Sequence, residues 1–503
     1  MTFSTTCPKL VNFRWVYTGL VLLTIAGCGS SGDDSSGYIK FYNASSNAPG
    51  VYLTVDEDLD NDDDDEIELT YSAVEFSKVS ANNELDTGNY YVELAWQDEE
   101  SSDRSDLELI YQEQLSINSD HITFIALTGD IRASETLVYD IEIIDDDDDE
   151  DDDLFNLRFL NLHPDYQSVD VYLSADNETF NEAVFVNTSY LSELSENIKM
   201  DQDQYIFYLT EVGSDEVIFT STDQSYTTVS QYVIVLRENT GVGSSPFAID
   251  SIGTNGVTLL NDVDSEATFG FYNAVSLSEY LPDYQGYMNV DVKLNDISQV
   301  VIEALETGEF SVSTTTSNGD YGFYVKDTNT QEVYISDALL SLEENADSTI
   351  FIYSKIDPID DDEDNDIDEN SDGIVDGYEA TIKSLTITKS NSASIYNHGI
   401  KIVNLADSDD FSRVTFYFVL NDEIISTAEN KLSVLQDSSG SLSLLNNTYD
   451  IFAIATIDGT SVIMDSMTMT LDEDSVEQFL IFEQNDAMPS GYQMTLVNQK
   501  SDD

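Results

Sequence analysis

Leu157–Leu173, LRFLNLHPDYQSVDVYL, decides the fold. Leu157-Arg158-Phe159-Leu160-Asn161-Leu162 is a short apolar and aromatic run that ends in Asn and an apolar residue. Val169-Asp170-Val171-Tyr172-Leu173 is a second run, rich in β-branched and aromatic residues. His163, Pro164 and Asp165 break the two apart. Runs of this kind, separated by turn residues, read as strands joined by a loop.

The pattern recurs four times. The first strand of each unit is Ile39–Ala44, Leu157–Leu162, Phe269–Ala274 or Ile400–Leu405, and each carries an Asn one residue from its end: Asn43, Asn161, Asn273 and Asn404. A second strand follows at Val51–Val55, Val169–Leu173, Val290–Leu294 and Val414–Leu420. Later a turn feeds a strand bearing Tyr90, Tyr205, Tyr321 or Tyr449. An apolar strand comes after it: Ile122–Leu127, Tyr232–Leu236, Thr349–Tyr353 and Gln478–Phe482. Several short strands per unit predict an all-β protein of tandem immunoglobulin-like antiparallel β-sandwich domains. The expected repeats span 38–144, 154–260, 266–356 and 395–499.

The Leu157–Leu173 hairpin resembles a bacterial extracytoplasmic domain of unknown function whose first hairpin reads roughly VRVVHASPDAPAVDVYV. The second unit carries the resemblance through Asn161, Pro164, Asp165 and Val169-Asp170-Val171-Tyr172. The first unit keeps Asn43-Ala44-Ser45 and Ala48-Pro49, and the third keeps Asn273-Ala274 and Val290-Asp291-Val292 around a longer loop. The fourth retains little beyond the strand pattern. The resemblance implies a secreted or surface β-sandwich and supplies no catalytic motif.

The N-terminus carries an export signal. Lys9 and Arg14 precede the apolar run Trp15–Ala26, which is long enough for a signal peptide and short for a membrane span. Ile25-Ala26-Gly27-Cys28 resembles the bacterial lipobox, with Ile where Leu is commonest. The resemblance implies a signal peptide over 1–27 and lipid, palmitate included, on the sulfur and amino group of Cys28. Residues 28–37 then read as a flexible Gly/Ser/Asp tether. Gly29, where Asp would imply inner-membrane retention, points to a lipid-anchored protein of the cell envelope at the outer membrane. Cys7 lies in the removed segment, so the processed chain would hold no disulfide.

Lys and Arg number 18 against 99 Asp and Glu, a net charge of -81. Such a chain is repelled by phosphate backbones, which excludes nucleic acid as a partner. Suitable partners are cations, basic proteins and neutral ligands such as a glycan. Solubility in salty water would also explain the charge. Acidic runs at Asp56–Glu66, Asp145–Asp153 and Asp360–Glu369 read as solvated loops or linkers: the first within a hairpin, the others between units.

The third run leads into Asp368-Glu369-Asn370-Ser371-Asp372-Gly373-Ile374-Val375-Asp376-Gly377-Tyr378-Glu379, which fits the calcium loop D-x-[DN]-x-[DN]-G-x₅-E without a mismatch. Calcium takes six to eight hard oxygens, which a short loop must wrap to supply. Asp368, Asn370, Asp372 and Asp376 would offer side-chain oxygens, Ile374 its carbonyl, and Glu379 two oxygens closing the site; Gly373 permits the sharp turn. The loop resembles an EF-hand or dockerin-like loop inside a linker over 357–380. Pro358 and the Asp run make a poor entering helix, while Tyr378–Leu385 is expected to form about two helical turns. Calcium there would stiffen the junction before the fourth unit.

His121, His163 and His398 fall in different units, so no shared zinc or nucleophile–His site is expected. Walker, HExxH, GxSxG and CxxC motifs do not occur. The expectation is a membrane-anchored, non-enzymatic binding or structural protein of the envelope. The alternatives are a carbohydrate-active enzyme or an accessory subunit binding an envelope protein. The strand tyrosines could form a glycan-binding face, although core packing is their commoner use.

Overall fold

The computed structural model describes residues 35–58, 68–97, 107–144, 153–359, 377–390 and 394–497. Among the described residues the regular elements are strands, joined by turns and loops, with short 3-10 turns at Ile131–Ala133 and Phe180–Glu182. Eight sheets stand in four pairs, one pair per repeat. Among the described residues no helix is long and apolar enough to cross a membrane.

The second unit shows the plan. Its inner sheet runs Ile198–Asp201, Leu154–Asn161, Gln231–Glu238, Phe247–Ile252, Val257–Leu260. Its outer sheet runs Val184–Tyr190, Ser168–Ala175, Asp203–Glu211, Val217–Thr220, with Gln224–Tyr226 also on Asp203–Glu211. Phe155, Leu157 and Phe159 meet Val169, Val171, Leu173, Phe207 and Leu209 between the sheets, forming the sandwich core. Pairing is antiparallel except at the centre of the inner sheet. There Leu154–Asn161 lies parallel to Gln231–Glu238, and the other units repeat this with Ser36–Asn43 on His121–Thr128, Glu266–Ala274 on Asp347–Pro358 and Asn397–Asn404 on Gln478–Gln484.

Those central strands are buried on both faces, which is why they read as nearly unbroken apolar runs. In Ser36–Asn43, Ile39 and Phe41 enter the unit's own core, while Tyr42 points the other way. Tyr42, Phe124, Ala126 and Ile141 of the first unit pack on Leu160, Leu162, Val233, Val235 and Ile252 of the second. The third and fourth units dock likewise, through Tyr272, Phe351, Tyr353 and Ile387 against Val403, Leu405, Phe479 and Ile481. Full burial of such a side chain contributes about 1.5–3 kcal/mol, so each seam is a second core rather than a hinge.

The four units also close on themselves. The second meets the third where Asn345 Nδ2 donates to Asn239 Oδ1 (2.7 Å) and Gly243 N donates to Asn345 Oδ1 (2.8 Å). The fourth returns to the first: Ile395 packs on the first core, its N–H donates to Asn47 O (3.0 Å), and Tyr396 lies 4.8 Å from Trp96.

Two local expectations change. Tyr378–Thr388 pairs with Asp347–Pro358 along its whole length, from Pro358↔Tyr378 to Ser348↔Thr388. The segment expected to be helical is therefore strand, because Thr381, Ile382, Thr386 and Ile387 suit a pleat and an open sheet edge offers them a full ladder. The acidic run Asp360–Glu369 consequently falls within a hairpin of the third unit rather than after it. Tyr52–Asp56 and Glu68–Thr70, which flank the first run in sequence, pair antiparallel; residues 59–67 between them lie outside the described residues.

Candidate functional site

Of the residues singled out for chemistry, Cys28 and the loop residues Asp368, Asn370, Asp372, Ile374 and Asp376 lie outside the described residues. Glu379 is exposed, on the strand Tyr378–Thr388, in register with Asp357. Thr381 Oγ1 donates to Asp357 Oδ2 (3.1 Å), and Lys383 stands 3.9 Å from the same oxygen. Among the described residues no group of three or more His, Cys, Asp or Glu side chains gathers as a metal site would require.

The three histidines serve separate local structures. His163 is buried; its Nδ1 accepts from Asp165 N (3.2 Å), so Nε2 is the protonated nitrogen and donates to Pro246 O (3.0 Å). The ring packs against Tyr166 and Phe247. His398 Nε2 lies 2.6 Å from Asn446 Oδ1, and His121 Nδ1 lies 2.7 Å from Ser119 O.

The repeated polar residues hold the sandwiches together. Asn43, Asn161, Asn273 and Asn404 are fully buried. Each Oδ1 accepts the N–H two residues on, at 3.0–3.2 Å, turning the chain out of the strand. Each Nδ2 donates to a carbonyl of another segment: Val74, Tyr166, Leu305 or Val434. Tyr90, Tyr205, Tyr321 and Tyr449 each donate from Oη to the carbonyl four residues upstream, at Asp86, Asp201, Ser317 and Leu445. That pins the turn before the strand as a tyrosine corner does. These tyrosines thus each have a structural role.

The sequence reading missed a set of serines. The N–H of Phe41, Phe159 and Phe271 donates to Ser80, Ser195 and Ser311, which donate onward to Ala81, Glu196 and Val312 carbonyls. An isolated Ser in a polar turn gives no signal of this.

The densest polar cluster lies at the first–second seam. Arg237 Nε donates to Asp250 Oδ2 (2.8 Å) and Nη2 to Oδ1 (3.3 Å), with Arg237 6% and Asp250 0% exposed. Tyr42 Oη (2.6 Å) and Ser77 Oγ (2.8 Å), both from the first unit, also donate to Asp250 Oδ2. The guanidinium lies 4.9 Å over Phe76. Burial opposes the Arg237 charge, but Asp250 and Tyr42 together hold the guanidinium above its ordinary value. Burial, then the Asp250 charge, push the Tyr42 hydroxyl well up, so it remains a donor. Nearby, buried Lys40 donates to Gly253 O (2.5 Å) and Thr254 O (3.0 Å), and desolvation lowers its pKa to about 8. Every charged group here is spent on docking one unit against the next.

The opposite seam is more aromatic. Phe351 and Phe479 meet edge to face at 5.2 Å, and Phe310 lies 4.7 Å from Tyr272. Lys355 of the third unit pairs across it with Asp437 of the fourth (2.8 Å), and two further carboxyls lie there: Asp407, which accepts from Ile356 N (2.7 Å), and Glu483, which accepts from Gln493 Nε2 (3.0 Å). Burial raises both above their ordinary values.

No curated protein matches the chain. Two solved structures bear a distant likeness. The TIE protein of Bacillus anthracis is 10% identical over 91% of this chain and 76% of its own, with a TM-score of 0.16. The major pilin subunit of Bacillus cereus is 10% identical over 66% of this chain and 99% of its own, with a TM-score of 0.13. Likeness at that level carries no argument about function. The family described as a domain of unknown function (DUF4397) matches residues 37–172, the first sandwich and the opening hairpin of the second up to Tyr172.

Proposed function

We propose that this protein is an exported lipoprotein, anchored through Cys28 at the outer membrane, with a non-enzymatic binding or structural role at the cell envelope. The observation that carries the reading is the pair of buried seams. They join the four sandwiches two by two into stiff pairs, with Tyr42, Ser77, Arg237 and Asp250 committed to the first seam. A stiff scaffold suits a protein that presents surface to other molecules outside the cell. Cys28→Ser in the full chain tests the anchor. The expected result is loss of radiolabelled palmitate and release from the membrane fraction; a variant that stays labelled and membrane-bound refutes it.

Calcium at Asp368, Asn370, Asp372, Ile374, Asp376 and Glu379 belongs to the same proposal. Support comes from the fit of Asp368–Glu379 to the calcium-loop pattern and from the register that sets Glu379 opposite Asp357, a like-charged pair that Lys383 meets only on the Asp357 side. Calcium would stiffen the far end of that hairpin within the third unit. Calorimetry should show weak saturable binding, on the order of 10⁻⁴–10⁻³ M as in extracellular modules, lost in Glu379→Gln. Heat that is absent, or unmoved by the substitution, removes calcium from the proposal.

A further inference from the structure

We infer that the junction of the first and fourth units is a binding cleft for a neutral glycan. The inference rests on the reading of the chain as a binding protein and gives that reading a site. The cleft holds about 560 Å³, within the usual range for small-ligand pockets. Glu75 and Phe76 of the first unit line one side; Asn397, Ser441, Ser443 and Glu477 of the fourth line the other. Neither unit holds the cleft alone. It forms because Ile395 and Tyr396 dock on the first unit beside Trp96.

The lining selects the ligand by its chemistry. Lys389 and Lys401 also border the cleft, but Lys389 pairs with Asp347 (2.8 Å) and Lys401 with Glu477 (3.7 Å). An anion would have to break those pairs against a chain carrying -81. An apolar ligand would strip water from hydroxyl, amide and carboxylate groups without replacing its hydrogen bonds. An uncharged, polyhydroxylated ligand suffers neither cost. The exposed carboxylate of Glu75 can accept its hydroxyls in charge-assisted hydrogen bonds, while Glu477 is held by Lys401 and by Ser390 N (3.0 Å) at the back of the cleft. The exposed Ser441 and Ser443 hydroxyls both donate and accept, and Asn397, bonded to Ser394 Oγ (2.6 Å) and Ser443 Oγ (3.4 Å), backs them. Phe76, its ring set by Arg237 at 4.9 Å, offers an apolar surface to sugar C–H groups.

The test is calorimetry on the full chain with neutral oligosaccharides of glucose, mannose, galactose and N-acetylglucosamine, with heparin as the anionic control. Ser441→Tyr and Ser443→Tyr fill the cleft from exposed strand positions, where bulk should not disturb the core. The expected result is saturable binding of at least one neutral oligosaccharide, weakened roughly tenfold or more, 1.4 kcal/mol, by either substitution. Unchanged Trp96 emission and melting temperature would show the junction still closed. Binding by none of the neutral panel, binding unmoved by both substitutions, or preference for heparin would overturn the inference. Palmitate labelling and fractionation are independent of it, so failure of the cleft and failure of the anchor remain distinguishable.

Discussion

Asp250→Ala probes the seam between the first two units most directly. It removes the carboxylate that accepts Arg237, Tyr42 and Ser77 and leaves the guanidinium 6% exposed with no acid in contact. Breaking a buried pair by deleting one partner costs about 3–5 kcal/mol, because the surviving charge is stranded away from water. The lost bonds from Tyr42 and Ser77, about 0.5–1.5 kcal/mol each, place the effect toward the top of that range. At 4 kcal/mol the docked population would fall by roughly a thousandfold relative to the undocked one. Urea unfolding of the full chain, followed by far-UV circular dichroism and Trp96 emission, reads it. Several phases are expected from four units, so the midpoint of the phase belonging to the first pair is the quantity to compare. Arg237→Met combined with Asp250→Leu should recover most of the loss, since an apolar pair of similar volume needs no desolvated charge. A shift below about 1 kcal/mol for Asp250→Ala, or a double variant no better than the single one, would refute the reasoning.

Asn161→Ala strands the buried His163 N–H and Tyr166 carbonyl, and should cost about 2–4 kcal/mol in chemical denaturation; an effect near zero would mean that water replaces the side chain. Tyr449→Phe removes the bond to Leu445 O and should cost about 0.5–1.5 kcal/mol; a loss as large as that of Asn161→Ala would show that the hydroxyl does more than pin its turn. Burial raises the Asp407 and Glu483 carboxyls above 3.8 and 4.5. A carboxyl raised on folding stabilises fully below its unfolded value, and that contribution is lost as pH rises through the raised value. The Asp407 and Glu483 contribution to the third–fourth seam should therefore be greatest in mild acid and fade toward neutrality. Relief of repulsion within a chain of net charge -81 has the same sign, so the informative quantity is the difference in melting temperature between the full chain and Glu483→Gln across that range. Identical slopes would rule Glu483 out as a contributor.

The sequence by itself determined the strands, their repetition and the sandwich class. Period-two burial and turn residues act within a few positions, so Ile39–Phe41, Val169–Val171 and the strands that follow were legible without partners. The four asparagines were legible as strand ends, and the hydrogen bonds that explain them run partly to the next two residues. The histidines were legible as separate.

What the tertiary structure decided is non-local. Tyr42 and Leu160 are apolar beyond what their own cores need, but nothing near them in sequence says that they meet each other. Asp250 is one of 99 acidic residues; the pairing of Gln231–Glu238 with Phe247–Ile252 sets Arg237 beside it, and only the seam brings Tyr42 and Ser77 to them. Tyr378–Thr388 carries a mixed local preference, which the open edge of Asp347–Pro358 resolved toward strand. The contact of Tyr396 with Trp96 joins residues 300 positions apart. Local pattern tells a strand which faces to bury; the identity of what covers the second face depends on shape and charge across the whole molecule.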